Sequence, residues 1–220
     1  MKSAIFEDEI REEIEYNVIR MLNATQLMNI NTANSPRAVG DAVQSFLEQN
    51  FIRCIPSGII KEFNASFARR SMADFAFTDH ENKYYIVDCK THNLSTQFNM
   101  PNLTSVERLA RFYGDDNNFF VLLLVAYKTE GYELEFSECI FSPIEHLEWS
   151  CLTLGALGWG QIQIANSNII KRDTKKTRKS WMLELCDTLD VFYPNEIAKI
   201  TERIDYFKAI RNYWINHSDS

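Results

Sequence analysis

The fold is decided by residues 71–93, which read SMADFAFTDHENKYYIVDCKTHN. Apolar and aromatic runs at 73–78 and 84–89 flank a polar, turn-like segment, and this pattern predicts two neighbouring strands joined by a hairpin turn. Further runs of the same kind at 118–127 and 132–141 predict two more strands. We therefore expect one β-sheet in the middle of the chain.

Apolar residues at helical spacing predict helices before, between and after these strands. The predicted helices are 3–22, 38–50, 103–113, 178–192 and 195–216. The third begins at the capping pair Thr104 and Glu107, and Pro194 separates the last two. A helix between two strands implies a crossover connection. The sequence therefore predicts an α/β fold of the α+β type, in which helices flank a mixed central β-sheet and long helices end the chain.

The composition is that of one folded domain. The 220 residues are 45% hydrophobic and 24% charged, and no repeat or Gly/Ser linker divides them. The longest apolar run is far shorter than the roughly 20 residues of a membrane helix, and the N-terminal segment is acidic where a signal peptide is basic. The five cysteines are scattered and form no CxxC pair, which indicates neither a disulfide framework nor a zinc site. We expect a cytoplasmic protein with no membrane partner.

Charge is unevenly distributed along the chain. The net charge of −7 argues against a nucleic-acid partner, because phosphate binding requires Lys and Arg. Residues 171–179 (KRDTKKTRK), however, carry six bases against one acid, which favours a local basic surface that clamps phosphates. The alternative for this run is a flexible surface loop. The bases that we assign to the clamp are Lys171, Arg172, Lys175, Lys176 and Arg178.

A metal site is predicted where the two strands of residues 71–93 lie side by side. Side chains alternate between the faces of a strand, so Asp88 and Lys90 share one face and Cys89 lies on the other. The hairpin turn brings Asp74, which opens the first strand, beside Asp88. Two close carboxylates repel each other unless a cation lies between them, and oxygen ligands without Cys or His select Mg²⁺. We therefore assign Asp74 and Asp88 as metal ligands.

Lys90 completes this predicted site. A Mg²⁺ ion held by two carboxylates keeps several waters and lowers the pKa of one of them. The compact charge of Lys90 can orient that water and stabilise the charge that develops on a phosphodiester. The alternative is that these residues have only a structural role, because the DxK pattern alone occurs often by chance. In that case Asp88 and Lys90 form an ion pair on an edge strand, and Asp74 is a turn residue.

These residues resemble the PD-(D/E)XK nuclease superfamily, with Ala73-Asp74 in place of Pro-Asp and Asp88-Cys89-Lys90 as the DXK element. Over about residues 35–212 the chain is similar to type II restriction endonucleases of the HincII and EcoRV branch. The matching stretches are ADFAF at 73–77, VDCKTHN at 87–93, Pro101-Asn102, QIQI at 161–164 and TRKSW at 177–181.

The resemblance implies a homodimer that binds a short palindrome in double-stranded DNA. Such an enzyme cuts both strands with Mg²⁺, to blunt ends that carry 5′-phosphates. By that similarity Asp74 and Asp88 hold the metal and Lys90 is the catalytic lysine. Many relatives add an acidic residue from the first core helix, for which Asp41 is the nearest candidate. The alternative for Asp41 is an ordinary solvated helix residue.

We expect the single domain of residues 1–220 to have three parts. Residues 1–35, a helix and a loop, would serve dimerisation, residues 36–145 would form the catalytic core, and residues 146–220 would supply a DNA-facing segment and the C-terminal helices. Within the core, the loop 97–102 corresponds to the DNA-contacting loop of the family. The expected DNA contacts outside the basic run are Arg69, Arg70, His92, Gln97, Asn99, Asn102, Trp159, Gln161 and Gln163.

Several of these contacts have structural alternatives. Arg69 and Arg70 are equally consistent with a solvated arginine pair, and a lone histidine such as His92 is often a local hydrogen-bonding residue. Trp159 is the tryptophan that we expect to be exposed, because glycines flank it. These glycines form no phosphate-binding motif, so no nucleotide cofactor is expected.

The sequence thus predicts a type II restriction endonuclease, with two rival functions. One rival is a repair or junction-resolving nuclease on the same core, which would lack strict site specificity. The other is a DNA-binding or dimerisation module without catalytic activity. Retention of Asp74, Asp88 and Lys90 argues against the second rival, because such a module has no need of all three.

Overall fold

The computed structural model describes residues 3–25, 27, 35–64, 72–96, 100–130 and 133–218. Contacts divide the chain into two units, 1–178 and 179–220, where the sequence predicts one domain. Among the described helices, none combines the length and the apolar character that crossing a membrane requires.

The chain is built from eight strands and four α-helices within the described residues. The strands are β1 (Ile60–Asn64), β2 (Phe75–Asp79), β3 (Tyr84–Asn93), β4 (Asn102–Ser105), β5 (Asn118–Glu130), β6 (Glu133–Pro143), β7 (Leu152–Gly155) and β8 (Gln161–Ile164). The helices are α1 (Asp8–Asn23), α2 (Pro36–Asn50), α3 (Val106–Phe112) and α4 (Arg178–Ile215).

A mixed five-stranded sheet forms the centre of the first unit. Its strand order is β1-β2-β3-β5-β6, and a separate small sheet has the order β4-β8-β7. In the large sheet β3 and β5 are parallel, whereas the other neighbours are antiparallel. The predicted class, an α/β fold with a mixed central sheet flanked by helices and a long C-terminal helix, is confirmed.

One face of the large sheet packs against α1 and α2. From the sheet, the buried side chains of this core include Phe75, Phe77, Tyr85, Val87 and Phe119. From α1 and α2 they are Ile14, Val18, Leu22, Val39, Val43 and Leu47. Because strand side chains alternate, the even-numbered residues of β3, among them Asp88 and Lys90, lie on the opposite face.

Two predicted helix boundaries are wrong. The helix α3 begins after Ser105, whose Oγ accepts a hydrogen bond from the amide of Arg108, and not after Thr104. Thr104 is extended because it pairs with Ile162 in the small sheet, so the cap moves one residue along the chain.

The predicted division of the last helix is also wrong, since α4 continues through Pro194. Proline removes one backbone hydrogen bond and crowds the preceding turn. The residues after Pro194 nevertheless keep helical spacing and are supported by the ion pairs Glu196–Lys199 and Asp205–Lys208.

Arg178 and Glu145 form a buried ion pair in the first unit. Glu145 accepts hydrogen bonds from Nη2 of Arg178 at 2.9 Å and from the hydroxyl of Tyr113 at 2.5 Å. The guanidinium of Arg178 also donates to the carbonyl of Asn118 at 2.7 Å and lies over the Phe119 ring. Each charge in this network therefore has several partners, which burial of an ion pair requires.

We predict that Glu145→Ala lowers the free energy of unfolding by about 3–5 kcal/mol, because it leaves the buried guanidinium of Arg178 without its counter-charge. The matched control is Arg111→Ala, which breaks the more exposed Glu107–Arg111 pair and should cost at most about 1 kcal/mol. Urea unfolding followed by circular dichroism measures both. Equal losses in the two variants would contradict a structural role for the buried pair.

Candidate active site

The β2–β3 hairpin places two carboxylates side by side. Phe75 pairs with Val87, and the amide of Asp74 donates to the carbonyl of Val87 at 2.8 Å, so the register continues and sets Asp74 opposite Asp88. The Oδ2 atom of Asp74 accepts a hydrogen bond from the amide of Cys89 at 2.6 Å. This bond fixes the orientation of the Asp74 carboxylate at the strand.

Lys90 lies on the same strand as Asp88 and forms an ion pair with it. Its Nζ donates to Oδ1 of Asp88 at 2.6 Å and to the carbonyl of Cys89 at 3.3 Å. The Asp88 side chain is buried, whereas about a quarter of the Lys90 side chain reaches solvent. The ammonium of Lys90 therefore lies between the buried Asp88 carboxylate and the surface from which a ligand would approach.

Asp88 is the most strongly perturbed member of the group. Burial raises the pKa of Asp88 to about 7, against the opposing effect of the charge and hydrogen bond of Lys90, and the charge of Asp74 raises it further. Its Oδ2 atom is buried and has no hydrogen-bond partner among the described residues. A buried carboxylate oxygen without a partner is costly, so a bound cation would relieve this cost.

Asp74 is perturbed in the same direction. Burial raises the pKa of Asp74, the hydrogen bond from Cys89 and the charge of Lys90 lower it, and the charge of Glu48 raises it again. Burial also raises the pKa of the Cys89 thiol, to which Asp74, Asp88 and Glu48 add. The thiol is therefore protonated and serves as core rather than as a metal ligand.

The effect of Glu48 reveals a third acidic group that the sequence analysis missed. Glu48 lies in the last turn of α2, where Gln44 donates to its Oε1 atom at 2.9 Å. Asp41, the acidic residue predicted from this helix, is exposed. The two residues are seven positions apart and so share one helix face.

The donor set fits Mg²⁺ with two protein ligands rather than three. Among the described residues, no group of three or more His, Cys, Asp or Glu side chains is arranged to hold a metal. Mg²⁺ keeps several waters and is commonly bound by one or two carboxylates together with substrate phosphates. Asp74 and the unpartnered oxygen of Asp88 supply such a pair of oxygen donors.

His92 shares the strand face of Asp88 and Lys90 but is buried. Its Nε2 donates to Oδ1 of Asn168 at 2.7 Å, and Nδ1 has no partner among the residues described. The structure therefore gives His92 a structural hydrogen bond to the 165–170 loop. Its predicted contact with DNA stays a prediction.

The small sheet holds three of the predicted DNA contacts and displays a fourth. The side-chain Oδ1 of Asn102 in β4 accepts a hydrogen bond from the side-chain Nε2 of Gln163 in β8 at 2.5 Å, and Gln161 is half-buried in the same strand as Gln163. The hairpin between β7 and β8 presents Trp159 and Leu157, which are 62% and 66% exposed. The predicted exposure of Trp159 is confirmed, but the expectation that it is the exposed tryptophan is wrong for Trp214, which is 63% exposed.

Both arginines of the basic run form ion pairs within the protein. Arg172 forms an ion pair with Glu15 at 2.5 Å, and Arg178 forms the buried pair with Glu145. Of the predicted lysines, Lys171 and Lys175 are exposed and Lys176 is half-buried. Four further predicted contacts, Arg69, Arg70, Gln97 and Asn99, lie outside the described residues.

We predict that the metal-free protein loses stability as the pH rises through about 7. The pKa of Asp88 in the folded state is about 7 and lies above its ordinary value. Folding therefore favours the protonated carboxyl, and the stabilisation is complete only below the ordinary pKa. The variant Asp88→Asn is neutral at every pH, so its Tm in EDTA should exceed that of the wild type more at pH 8 than at pH 5.

The control for this prediction is Asp205→Asn, because Asp205 is exposed on α4 and pairs with the exposed Lys208. Its Tm difference from the wild type should not change between the two pH values. A pH-independent difference for Asp88→Asn would contradict the raised pKa.

In comparisons with known proteins, no protein family and no curated protein matches the chain. The case for a function therefore rests on the geometry of Asp74, Asp88 and Lys90 and on the motif resemblance.

Proposed function

We propose that the chain is a Mg²⁺-dependent type II restriction endonuclease that cleaves double-stranded DNA at a specific short palindrome. The observation that supports this proposal best is the buried Asp88 carboxylate opposite Asp74. One of its oxygens accepts a hydrogen bond from Lys90, and the other has no partner among the described residues. Two carboxylates and one lysine of this kind form a site for a phosphodiester and its metal ion.

In the proposed mechanism Asp74 and Asp88 would hold the ion, which supplies a polarised water and neutralises charge on the phosphate. Lys90, bonded to Asp88 and partly open to solvent, stabilises the negative charge that develops on the phosphate oxygens. In the overall hydrolysis the hydroxyl of a water would be added to phosphorus, the bond from phosphorus to the 3′ oxygen would break, and the other proton of that water would end on the 3′ oxygen. The products carry a 5′-phosphate and a 3′-hydroxyl.

Site specificity and dimerisation belong to the proposal through the motif resemblance. A homodimer would place one site on each strand of a palindrome and leave blunt ends, and the proposed location of the enzyme is the cytoplasm. The exposed hairpin tip at Trp159 and the exposed Lys171 and Lys175 support a DNA-facing surface. Lysines of this kind bind phosphates without reading sequence, whereas a hairpin can enter a groove.

We predict that Asp88→Ala and Lys90→Ala each abolish Mg²⁺-dependent cleavage, because the first removes a metal ligand and the second removes the charge beside the phosphate. Both variants should still bind DNA in Ca²⁺. The control is Lys128→Ala, an exposed lysine near the end of β5, which should cut as the wild type does. Retained cutting by either site variant would contradict the assignment.

The substrate for this assay is a sequenced plasmid, so that one experiment also separates the proposed function from its rival. Discrete fragments with ends at one repeated sequence support a restriction enzyme. A smear, or nicking at branched substrates alone, supports the repair or junction-resolving nuclease. The absence of any cleavage by wild-type protein supports the non-catalytic module.

We predict that Glu48→Gln raises the Mg²⁺ concentration needed for half-maximal cleavage. The charge of Glu48 acts on Asp74, so removing it weakens the negative field that attracts the cation. The matched variant Asp41→Asn should leave this concentration unchanged, because Asp41 is exposed. A titration of cleavage rate against Mg²⁺ measures both, and the opposite ranking would restore Asp41 as the third acidic group.

A further inference from the structure

A row of three residues crosses the large sheet on the face opposite the helical core. His92 of β3 pairs with Ala126 of β5, and Ala126 pairs with Glu138 of β6. Paired residues on neighbouring strands direct their side chains to the same side of a sheet. The short side chain of Ala126 therefore separates an imidazole from a carboxylate and leaves space over the sheet between them.

A cavity of about 180 Å³ lies over this row. The row of His92, Ala126 and Glu138 lines it, together with apolar side chains of the sheet and with residues 167, 168 and 170 of the loop that follows β8. Glu138 and Asn168 are exposed, whereas His92 is 1% exposed. The cavity is therefore bounded by a buried imidazole and by side chains that reach solvent.

The imidazole of His92 is held in one orientation and has one nitrogen without a partner. Its Nε2 donates to Oδ1 of Asn168 at 2.7 Å, and Nδ2 of Asn168 donates in turn to the carbonyl of Thr96 at 3.3 Å. A neutral imidazole that donates through Nε2 carries a lone pair on Nδ1. This Nδ1 is buried and has no hydrogen-bond partner among the described residues. Because a buried acceptor without a partner is costly, a bound ligand would relieve that cost.

We propose that this cavity binds a divalent metal ion such as Zn²⁺ through Nδ1 of His92 and the carboxylate of Glu138. Neighbouring strands lie about 4.8 Å apart, so the backbones of His92 and Glu138 are about 10 Å apart across Ala126. The two side chains, with metal–ligand bonds of about 2.1 Å each, can span that gap. Water completes the coordination, since two protein groups leave positions open.

The chemistry of the two ligands distinguishes this site from the carboxylate pair at Asp74 and Asp88. An imidazole nitrogen suits Zn²⁺, Ni²⁺ or Cu²⁺, whereas Mg²⁺ prefers oxygen ligands alone. The cavity should therefore select the first group of ions and leave Mg²⁺ to the carboxylate pair.

Asn168 acts as a positioning residue in this proposal. A histidine that binds a metal through one ring nitrogen donates its other N–H to an oxygen acceptor, which fixes the ring and raises the basicity of the ligating nitrogen. The bond from Nε2 of His92 to Oδ1 of Asn168 is of this kind. The inference does not depend on the proposed nuclease activity.

Isothermal titration calorimetry with Zn²⁺ alone tests the proposal. The parent protein is the full chain with Asp88→Asn, which removes the proposed Mg²⁺ site from the titration and makes the result independent of DNA cleavage. Glu138→Gln and His92→Ala should each remove one equivalent of bound Zn²⁺, because each removes a ligand. Asn168→Ala should raise the Kd of that equivalent by about 10–100-fold, because it frees the imidazole to rotate.

The matched controls are His80→Ala and Glu135→Gln, which change an exposed histidine in the β2–β3 turn and an exposed glutamate in β6. Neither should alter the equivalent that Glu138→Gln removes. Since Glu138 is exposed, Glu138→Gln keeps the test valid even if His92→Ala unfolds the chain. Zn²⁺ should also raise the Tm of the parent more than that of Glu138→Gln. A parent that binds no Zn²⁺, or binding that Glu138→Gln leaves unchanged, overturns the proposal and leaves a bound water as the partner of Nδ1.

Discussion

The antiparallel pairing of β2 with β3 is the constraint on which the candidate site depends. Its register is held from the core side, where the rings of Phe77, Tyr85 and Phe119 stack at 4.6 and 5.2 Å. The hydroxyl of Tyr85 donates to Asp79 at 2.6 Å, which adds a polar anchor at the hairpin turn. A slip of one residue would reverse every side chain of the strand. The aromatic stack thus decides that Asp88 faces away from the core.

At Asp88 two physical effects oppose each other. Burial disfavours the charged carboxylate, whereas the ammonium of Lys90 at 2.6 Å favours it. Burial has the larger effect, because one oxygen of Asp88 receives no hydrogen bond from the described residues. A fold that needed only stability would replace such a group with an apolar one. The raised pKa of Asp88, which persists although a cation lies beside it, is therefore the property that indicates a chemical role at this position.

The sequence predicted those features that depend on short stretches of chain. The strands β2, β3, β5 and β6 follow from runs of apolar and aromatic residues, and the placement of Asp88 with Lys90 follows from strand alternation. The start of α3 could not be predicted in the same way, because Thr104 is held extended by Ile162, which lies far along the chain. Local capping rules favoured Thr104 until that pairing was known. Glu48 was missed for a related reason, since only its position relative to Asp74 distinguishes it from Asp41.

The charges of the basic run also depend on contacts with residues that are distant in sequence. A run of six bases within nine residues suggests a phosphate clamp when it is considered alone. In the folded chain, Glu15 neutralises Arg172 and Glu145 neutralises Arg178, and both acids are distant in sequence from the run. The arginines, with planar groups suited to carboxylates, are thus used within the protein, and exposed lysines remain at the surface. An acidic chain can therefore present a locally basic surface only where its own acids do not reach, and the folded structure, rather than the composition, determines where that is.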